Sequence, residues 1–373
     1  MQWSDGATRF DVELHGDITF TDDLSDVQTL SDGGRLMIRD SSLAVPHTIE
    51  IRSSNGTLTR TYSVAGVSRP WDDDARRRLA DMIVKLVRRS GIAAESRVKS
   101  IFAKSGVRGV LDEIALLEGD YARRRYFVTL VDVAKPDAAA VTPILAQVGQ
   151  RFTSDYDRGQ VLQHVAARVP LDGAAAAAYV QAVGPTKSDY ERRRALSALL
   201  AIRPLPRSAV DLAVRSAGDM RSDYDRSEVL RAALQSGSID RSDGFFAAVG
   251  RMTSSYEKRR VLLDAIERGS LGADAKRDLL SVAASIKSDY DRRVVLQAYV
   301  TKFGVDSGAS DAFFAVVNQM SSPYDRAEVL LSCVQAGAVS AGNRDAFVAA
   351  AERIRSNHDQ NRVLAALVRA ERR

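Results

Sequence analysis

Ser222-Asp223-Tyr224-Asp225-Arg226 is one copy of a block that returns along this chain at almost constant intervals. Its tyrosine has counterparts at Tyr156, Tyr190, Tyr256, Tyr290 and Tyr324, and His358 takes the seventh place. Successive places are 34, 34, 32, 34, 34 and 34 residues apart. A degenerate copy centres on Tyr121, 35 residues before Tyr156. Self-similarity at this period marks a repeat array in which each unit buries its apolar face only against a neighbour. The expected fold is mainly α, an α-solenoid of about eight helical hairpins of ~34 residues.

The block reads as a helix start. A serine followed three residues later by an acid forms a capping box, the hydroxyl taking an orphan N–H and the acid reaching back. Seven copies keep the pair: Ser154/Asp157, Ser188/Glu191, Ser222/Asp225, Ser254/Glu257, Ser288/Asp291, Ser322/Asp325 and Ser356/Asp359. An apolar stripe follows each cap, as in Val229, Leu230, Ala233 and Leu234, or Val295, Leu296, Tyr299 and Val300. Those offsets lie on one helical face. Gly237, Gly269 and Gly337 fall where a left-handed C-cap belongs. A second apolar segment (Phe245-Phe246, Leu279-Leu280, Phe313-Phe314, Phe347-Val348) predicts the return helix. Residues 95–117 read as one further degenerate unit.

This pattern resembles the HEAT and tetratricopeptide α-solenoids over about residues 92–373. The tetratricopeptide Trp, Gly and Pro markers are missing from their places, whereas a repeated acid and base is closer to the charged ladder of HEAT repeats. The Ser-Asp-Tyr-Asp-Arg-Arg unit (Ser288 to Arg293) also looks like repeats of uncharacterised bacterial proteins, some related to antibiotic-sensing membrane metallopeptidases. That resemblance implies an extracytoplasmic accessory module. The peptidase motif His-Glu-x-x-His is absent from this sequence, so no peptidase chemistry carries over.

The first 70 residues change period. Phe10, Val12 and Leu14 alternate with polar residues, and Ile18/Phe20, Leu36/Ile38, Ile49/Ile51 and Leu58/Tyr62/Val64 continue the alternation. With turns at Gly33-Gly34 and Asn55-Gly56, this predicts a small antiparallel β-meander over residues 7–64 in a domain 1–70. A connecting amphipathic helix is expected over 71–91, with Leu79, Met82, Ile83, Leu86 and Val87 on one face. Its basic residues admit contact with an anionic membrane, but packing between sheet and repeats is the favoured reading. The repeat domain then covers 92–373.

Composition narrows function by exclusion. The chain has 373 residues, 45% hydrophobic and 27% charged, with net charge +5. Residues 1–90 hold 12 basic against 14 acidic side chains, and the remainder 41 against 34. That mild, interleaved excess does not demand nucleic acid. No apolar stretch approaches a membrane span. The start Met1-Gln2-Trp3-Ser4 shows no apolar signal segment, leaving cytoplasm, or periplasm if an export signal was removed. Cys333 aligns with core positions of other units. His15, His47, His164 and His358 show no metal-ligand spacing. No catalytic, metal or cofactor site is expected.

The remaining candidate is the ladder itself: Tyr156/Arg158, Tyr190/Arg192, Tyr224/Arg226, Tyr256/Lys258, Tyr290/Arg292 and Tyr324/Arg326. Its structural reading has Tyr packed between hairpins and Arg bridging to an acid of the next unit. Its functional reading is a row of aromatics and cations that stacks single-stranded nucleic acid. The leading expectation is a non-catalytic scaffold for a protein or peptide partner, with nucleic acid as the alternative. Specificity is expected in the variable stretches 201–208, 237–243, 304–310 and 337–344.

Overall fold

The computed structural model describes residues 2–5, 10–42, 45–237, 244–268 and 271–372. Packing divides the chain into two compact units, Met1–Pro170 and Leu171–Arg373. The sequence-based limits at residues 70 and 91 both lie inside the first.

Among the described residues eight strands open the first unit: β1 (Gln2–Asp5), β2 (Phe10–His15), β3 (Ile18–Phe20), β4 (Val27–Leu30), β5 (Arg35–Asp40), β6 (His47–Ser54), β7 (Thr57–Val64) and β8 (Val67–Arg69). Six form an antiparallel sheet in the order β1-β2-β5-β6-β7-β8, while β3 and β4 pair apart from it. The expected meander is thus interrupted. Ile18 and Phe20 leave the sheet to pair with Leu30 and Val27, where Gln28 and Thr29 break the period-two pattern that would have announced a strand. Asn55 and Gly56, at φ 49° and 73°, make the two-residue turn joining Ser54 to Thr57.

Helix α1 (Asp73–Ser90) starts at Asp72, whose carboxylate accepts from Asp74 N and Ala75 N. Its Leu79, Met82, Ile83, Leu86 and Val87 join Phe10, Ile38, Ile49 and Ile51 in one core. Lys85 lies 3.3 Å from Asp40 Oδ2 and 4.5 Å above the Phe10 ring. The apolar stripe of this helix is therefore spent on the sheet. Next comes α2 (Ala94–Leu116), broken at Gly106 with φ 62° and ψ −158°, which is the degenerate unit expected at 95–117. Arg97 and Glu113 join its two segments at 2.9 Å. Then follow α3 (Asp120–Ala134), α4 (Ala138–Arg151) and α5 (Asp155–Arg168). A Cβ on Gly91 would stand 2.8 Å from Ala122 Cα, and one on Gly119 2.5 Å from Arg89 O. Only glycine permits α1 to meet the first repeat helix this closely.

The second unit begins with α6 (Gly173–Val183) and continues as α7 (Asp189–Leu200), α8 (Arg207–Gly218), α9 (Asp223–Ser236), α10 (Phe245–Gly250), α11 (Ser255–Glu267), α12 (Ala273–Ala284), α13 (Asp289–Phe303), α14 (Ser310–Asn318), α15 (Pro323–Gln335), α16 (Arg344–Glu352) and α17 (Asn357–Glu371). Each odd-numbered helix from α7 packs on the next odd one, and each even-numbered helix on the next even one. The result is a succession of helical hairpins whose facing stripes, including Val229, Leu230, Leu262, Leu296 and Leu330, are wholly buried. Gly337 is left-handed at φ 63°, as a C-cap glycine should be, but Gly237 leaves α9 extended at φ −169°. Gly269 lies outside the described residues, as does most of the variable stretch 237–243.

Candidate functional site: a tyrosine edge held by charged seams

All seven predicted caps form: Ser154, Ser188, Ser222, Ser254, Ser288, Ser322 and Ser356 each accept from the N–H three residues on, at 3.2–3.3 Å. The acid three residues later does not complete a capping box. At five of the caps (Ser154, Ser222, Ser254, Ser288 and Ser322) the serine N–H is instead taken by the residue before the tyrosine of the preceding hairpin. Asp120 Oδ2 accepts from Thr153 N and Ser154 N at 2.9 and 2.5 Å. Asp189 does so from Arg221 N and Ser222 N, Asp223 from Thr253 N and Ser254 N, and Asp289 from Ser321 N and Ser322 N, all at 2.7–2.8 Å. Ser255 Oγ fills the role for Lys287 N and Ser288 N at 3.2 and 3.3 Å. Helix starts are thus completed across seams between hairpins.

The Asp120, Asp223 and Asp289 carboxyls titrate accordingly. Burial pulls the Asp289 carboxyl up from the ordinary 3.8, but the hydroxyl of Ser321 and the N–H groups of Ser322 and Ser321 outweigh it and hold the group lower. The same balance depresses Asp120 and Asp223. A depressed folded-state pKa stabilises above the unfolded value, about 3.9, and that stability is lost as pH falls through the folded value. Urea midpoints of the intact chain are expected to fall below about pH 4. Asp289→Asn should lose less over the same window; an equal loss would detach the effect from this carboxylate.

The cations two residues beyond each tyrosine turn inward, against the expectation that they bridge to the next unit's acid. Two residues along a helix is about 200° of rotation, so they cannot share the tyrosine's face. Arg158, Arg226, Lys258, Arg292 and Arg326 are buried, and Arg192 partly so. Arg158 reaches Asp155 Oδ1 at 2.8 Å and Phe152 O at 2.5 Å. Arg192 donates to Thr186 O at 2.7 Å, and Arg226, Arg292 and Arg326 to Met220 O, Ile286 O and Met320 O. Their positive charge sits on carbonyls that end a return helix, where the helix dipole is negative. Lys258 donates to Ser285 Oγ at 2.7 Å, but the serine gives its own proton to Val282 O, so the pair is not arranged as nucleophile and base.

The tyrosines turn outward. The expected packing between hairpins is corrected: Tyr121, Tyr156, Tyr190, Tyr224, Tyr256, Tyr290 and Tyr324 are all between 50% and 54% exposed. The arginine that meets them stands three residues on, on the same helical face. In the first unit the Arg124 guanidinium lies 5.0 and 5.5 Å from the Tyr121 and Tyr156 ring centres. In the second, Arg193 lies between Tyr190 and Tyr224, Arg259 between Tyr256 and Tyr290, and Arg293 between Tyr290 and Tyr324, at 5.0–5.7 Å. Contacts of this geometry contribute about 0.5–1 kcal/mol each when exposed.

Each of these arginines also holds the acid following the next tyrosine. Arg124 meets Asp157 at 3.1 Å, Arg193 meets Asp225 at 2.6 Å, Arg259 meets Asp291 at 2.6 Å and Arg293 meets Asp325 at 3.2 Å. Where Ser227 replaces the arginine, the next acid is the longer Glu257, which takes the Ser227 hydroxyl at 2.5 Å and Arg260 at 2.9 Å. Arg260 then returns to Glu228 at 2.8 Å. The seam at Ala327 likewise uses Arg362 with Asp359 and Glu328, at 3.1 and 2.9 Å. Within each unit the guanidinium groups beside the tyrosines are therefore paired with acids.

No family model, curated protein or solved structure matches the chain. Among the described residues no group of three or more His, Cys, Asp or Glu is placed to hold a metal ion. Cys333 is buried, and burial pushes its thiol up to about 12, as befits a small core residue. His47 Nδ1 lies 2.7 Å from the Tyr62 hydroxyl, and His164 Nε2 2.8 Å from Asp132 Oδ1. No described helix is long and apolar enough to cross a membrane.

Proposed function

We propose that the hairpins form an α-solenoid of the HEAT and tetratricopeptide kind, serving as a non-catalytic module that holds a protein or peptide against its tyrosine edge. The observation that carries this reading is the repeated half-exposure of tyrosine at one position of seven successive copies, Tyr121 to Tyr324. A repeated core residue would be covered. Tyrosine is enriched among residues that dominate binding energy, because its large rigid ring costs little entropy to fix. The arginines beside it are already neutralised by acids, which favours a polypeptide over a polyanion.

Nucleic acid is the second reading, favoured by the alternation of rings and guanidinium groups. Salt separates the two, since phosphate-dominated binding weakens steeply between low and physiological ionic strength. The test is capture from native lysate by the intact chain and by a variant with Tyr190, Tyr224, Tyr256 and Tyr290 all changed to Ser. A protein held in high salt and released at least about tenfold more readily by the variant is expected. Equal capture by both chains overturns the reading, and nucleic acid lost at high salt replaces it with the second.

A further inference from the structure

Two seams of the second unit lack the carboxylate: at one the Ser255 hydroxyl stands in for it, and at the other nothing does. Asp289 shows the full arrangement: Oδ1 takes Arg292 Nη1 at 3.2 Å, and Oδ2 takes Ser321 N, Ser321 Oγ and Ser322 N at 2.7–2.8 Å. Asp223 and Arg226 repeat it with Thr253 and Ser254. At the next step the residue before the tyrosine is Pro323, which has no acceptor to offer. The groups that would hold a carboxylate remain. Arg326 is 8% exposed and set as Arg292 is, with Nη2 on Asn318 O and Met320 O where Arg292 has Ala284 O and Ile286 O. Its Nε has no acceptor among the described residues, as is also true of Arg226 and Arg292. Its Nη1, the counterpart of the atom that holds Asp289, is turned to Arg353 O at 2.6 Å. Arg355 N and Ser356 N, the counterparts of Ser321 N and Ser322 N, meet no acceptor among the described residues. They sit at the N-terminus of α17, where the helix dipole adds positive potential.

A cleft of about 660 Å³ opens at this place, lined among others by Ser321, Pro323, Arg326, Arg353 and Arg355, with Glu352 as its one acid. Its charge is net positive. The Arg326 guanidinium is held below its ordinary value, first by burial and then by the Arg353 charge beside it.

We propose that this cleft binds a carboxylate supplied in trans, which takes the place that the Asp189, Asp223 and Asp289 side chains fill at their seams. The ligand chemistry is that of an Asp or Glu side chain of a partner, or of a small carboxylic acid. Arg326 and the two backbone N–H groups grip the carboxylate, and Arg353 and Arg355 draw it in. Phosphate is disfavoured, because the three donors kept from the Asp289 arrangement, one guanidinium and two N–H groups, fit a planar group with two oxygens.

The test follows the amide resonances of Arg355 and Ser356 in the intact ¹⁵N-labelled chain. Sodium acetate is titrated against sodium chloride at matched ionic strength. A saturable shift with acetate alone is expected. In Pro323→Asp, which restores the repeat, both resonances should begin displaced and stay unmoved by acetate. The same titration with acetyl-Ala-Asp-Ala-amide and its Asn counterpart distinguishes the sources. At least tenfold tighter binding of the Asp peptide than of acetate points to a partner's side chain, and equal affinity to a small acid. No saturable shift in the parent chain, or an equal one in Pro323→Asp, overturns the proposal. None of these readouts involves the tyrosines, so this site and the tyrosine edge stand or fall separately.

Discussion

Asp289→Ala is expected to lower the unfolding free energy of the second unit by about 3–5 kcal/mol. The carboxylate answers four donors at once, and removing it leaves Arg292, only 6% exposed, as a charge without its acid. It also strips the acceptor from two N–H groups at the head of α15. Breaking a buried pair from one side costs more than the pair contributes, because the remaining charge stays desolvated. Urea or thermal unfolding would show it, with a fall in Tm of about 10 °C for a body of this size. The exposed Asp278→Ala should stay within about 0.5 kcal/mol. A loss below about 1 kcal/mol for Asp289→Ala would mean that the seam is solvated and that its bonds add little.

Phe313→Ala should cost a similar amount, about 3–5 kcal/mol, for a different reason. Phe313 is fully buried, stacked on Tyr299 at 5.9 Å and meeting Phe314 edge-on at 5.4 Å. Truncation removes apolar surface and leaves a hole beside Tyr299 and Phe314. The contrast is Tyr290→Ala, which gives up a half-exposed ring and its two guanidinium contacts and should cost no more than about 1–2 kcal/mol. Parallel denaturation of the two variants checks the division of aromatics into core and surface. Equal losses would show that the tyrosine edge is part of the core after all.

That division was the part of the site the sequence concealed. Recurrence marks Tyr290 and Leu296 alike, and nothing in a period tells a repeated surface residue from a repeated core one. Helical geometry did hold a usable signal. The cation two residues after the tyrosine recurs in every full copy, and so drew attention as the tyrosine's companion, yet it must face away from it. The guanidinium groups that do share the face, Arg124, Arg193, Arg259 and Arg293, recur in only some copies. The seven caps were legible because a serine hydroxyl acts within its own helix. The partners of Asp189, Asp223 and Asp289 were not, because they lie 30–33 residues away. Ile18–Phe20 was legible as a strand but not as a departure from the sheet, since its partner Val27–Leu30 has no alternation. Gly106 hid a break inside α2 that looks continuous in composition.

The seams of the second unit also have a direction. Asp189, Asp223, Ser255 and Asp289 are acceptors carried by the earlier hairpin, and the N–H groups they satisfy belong to the later one. A ribosome releases the acceptor first. At these four seams the acceptor is therefore made before the amides it answers, whereas the hairpin begun at Pro323 offers none to the next. The reverse order would have these four helices begin with their first amides unanswered. Units of this protein are in that sense tiles with unlike edges. Exchanging the units of Tyr256 and Tyr290, for example, sets Arg293 against Glu257 where the original order met it with Asp325.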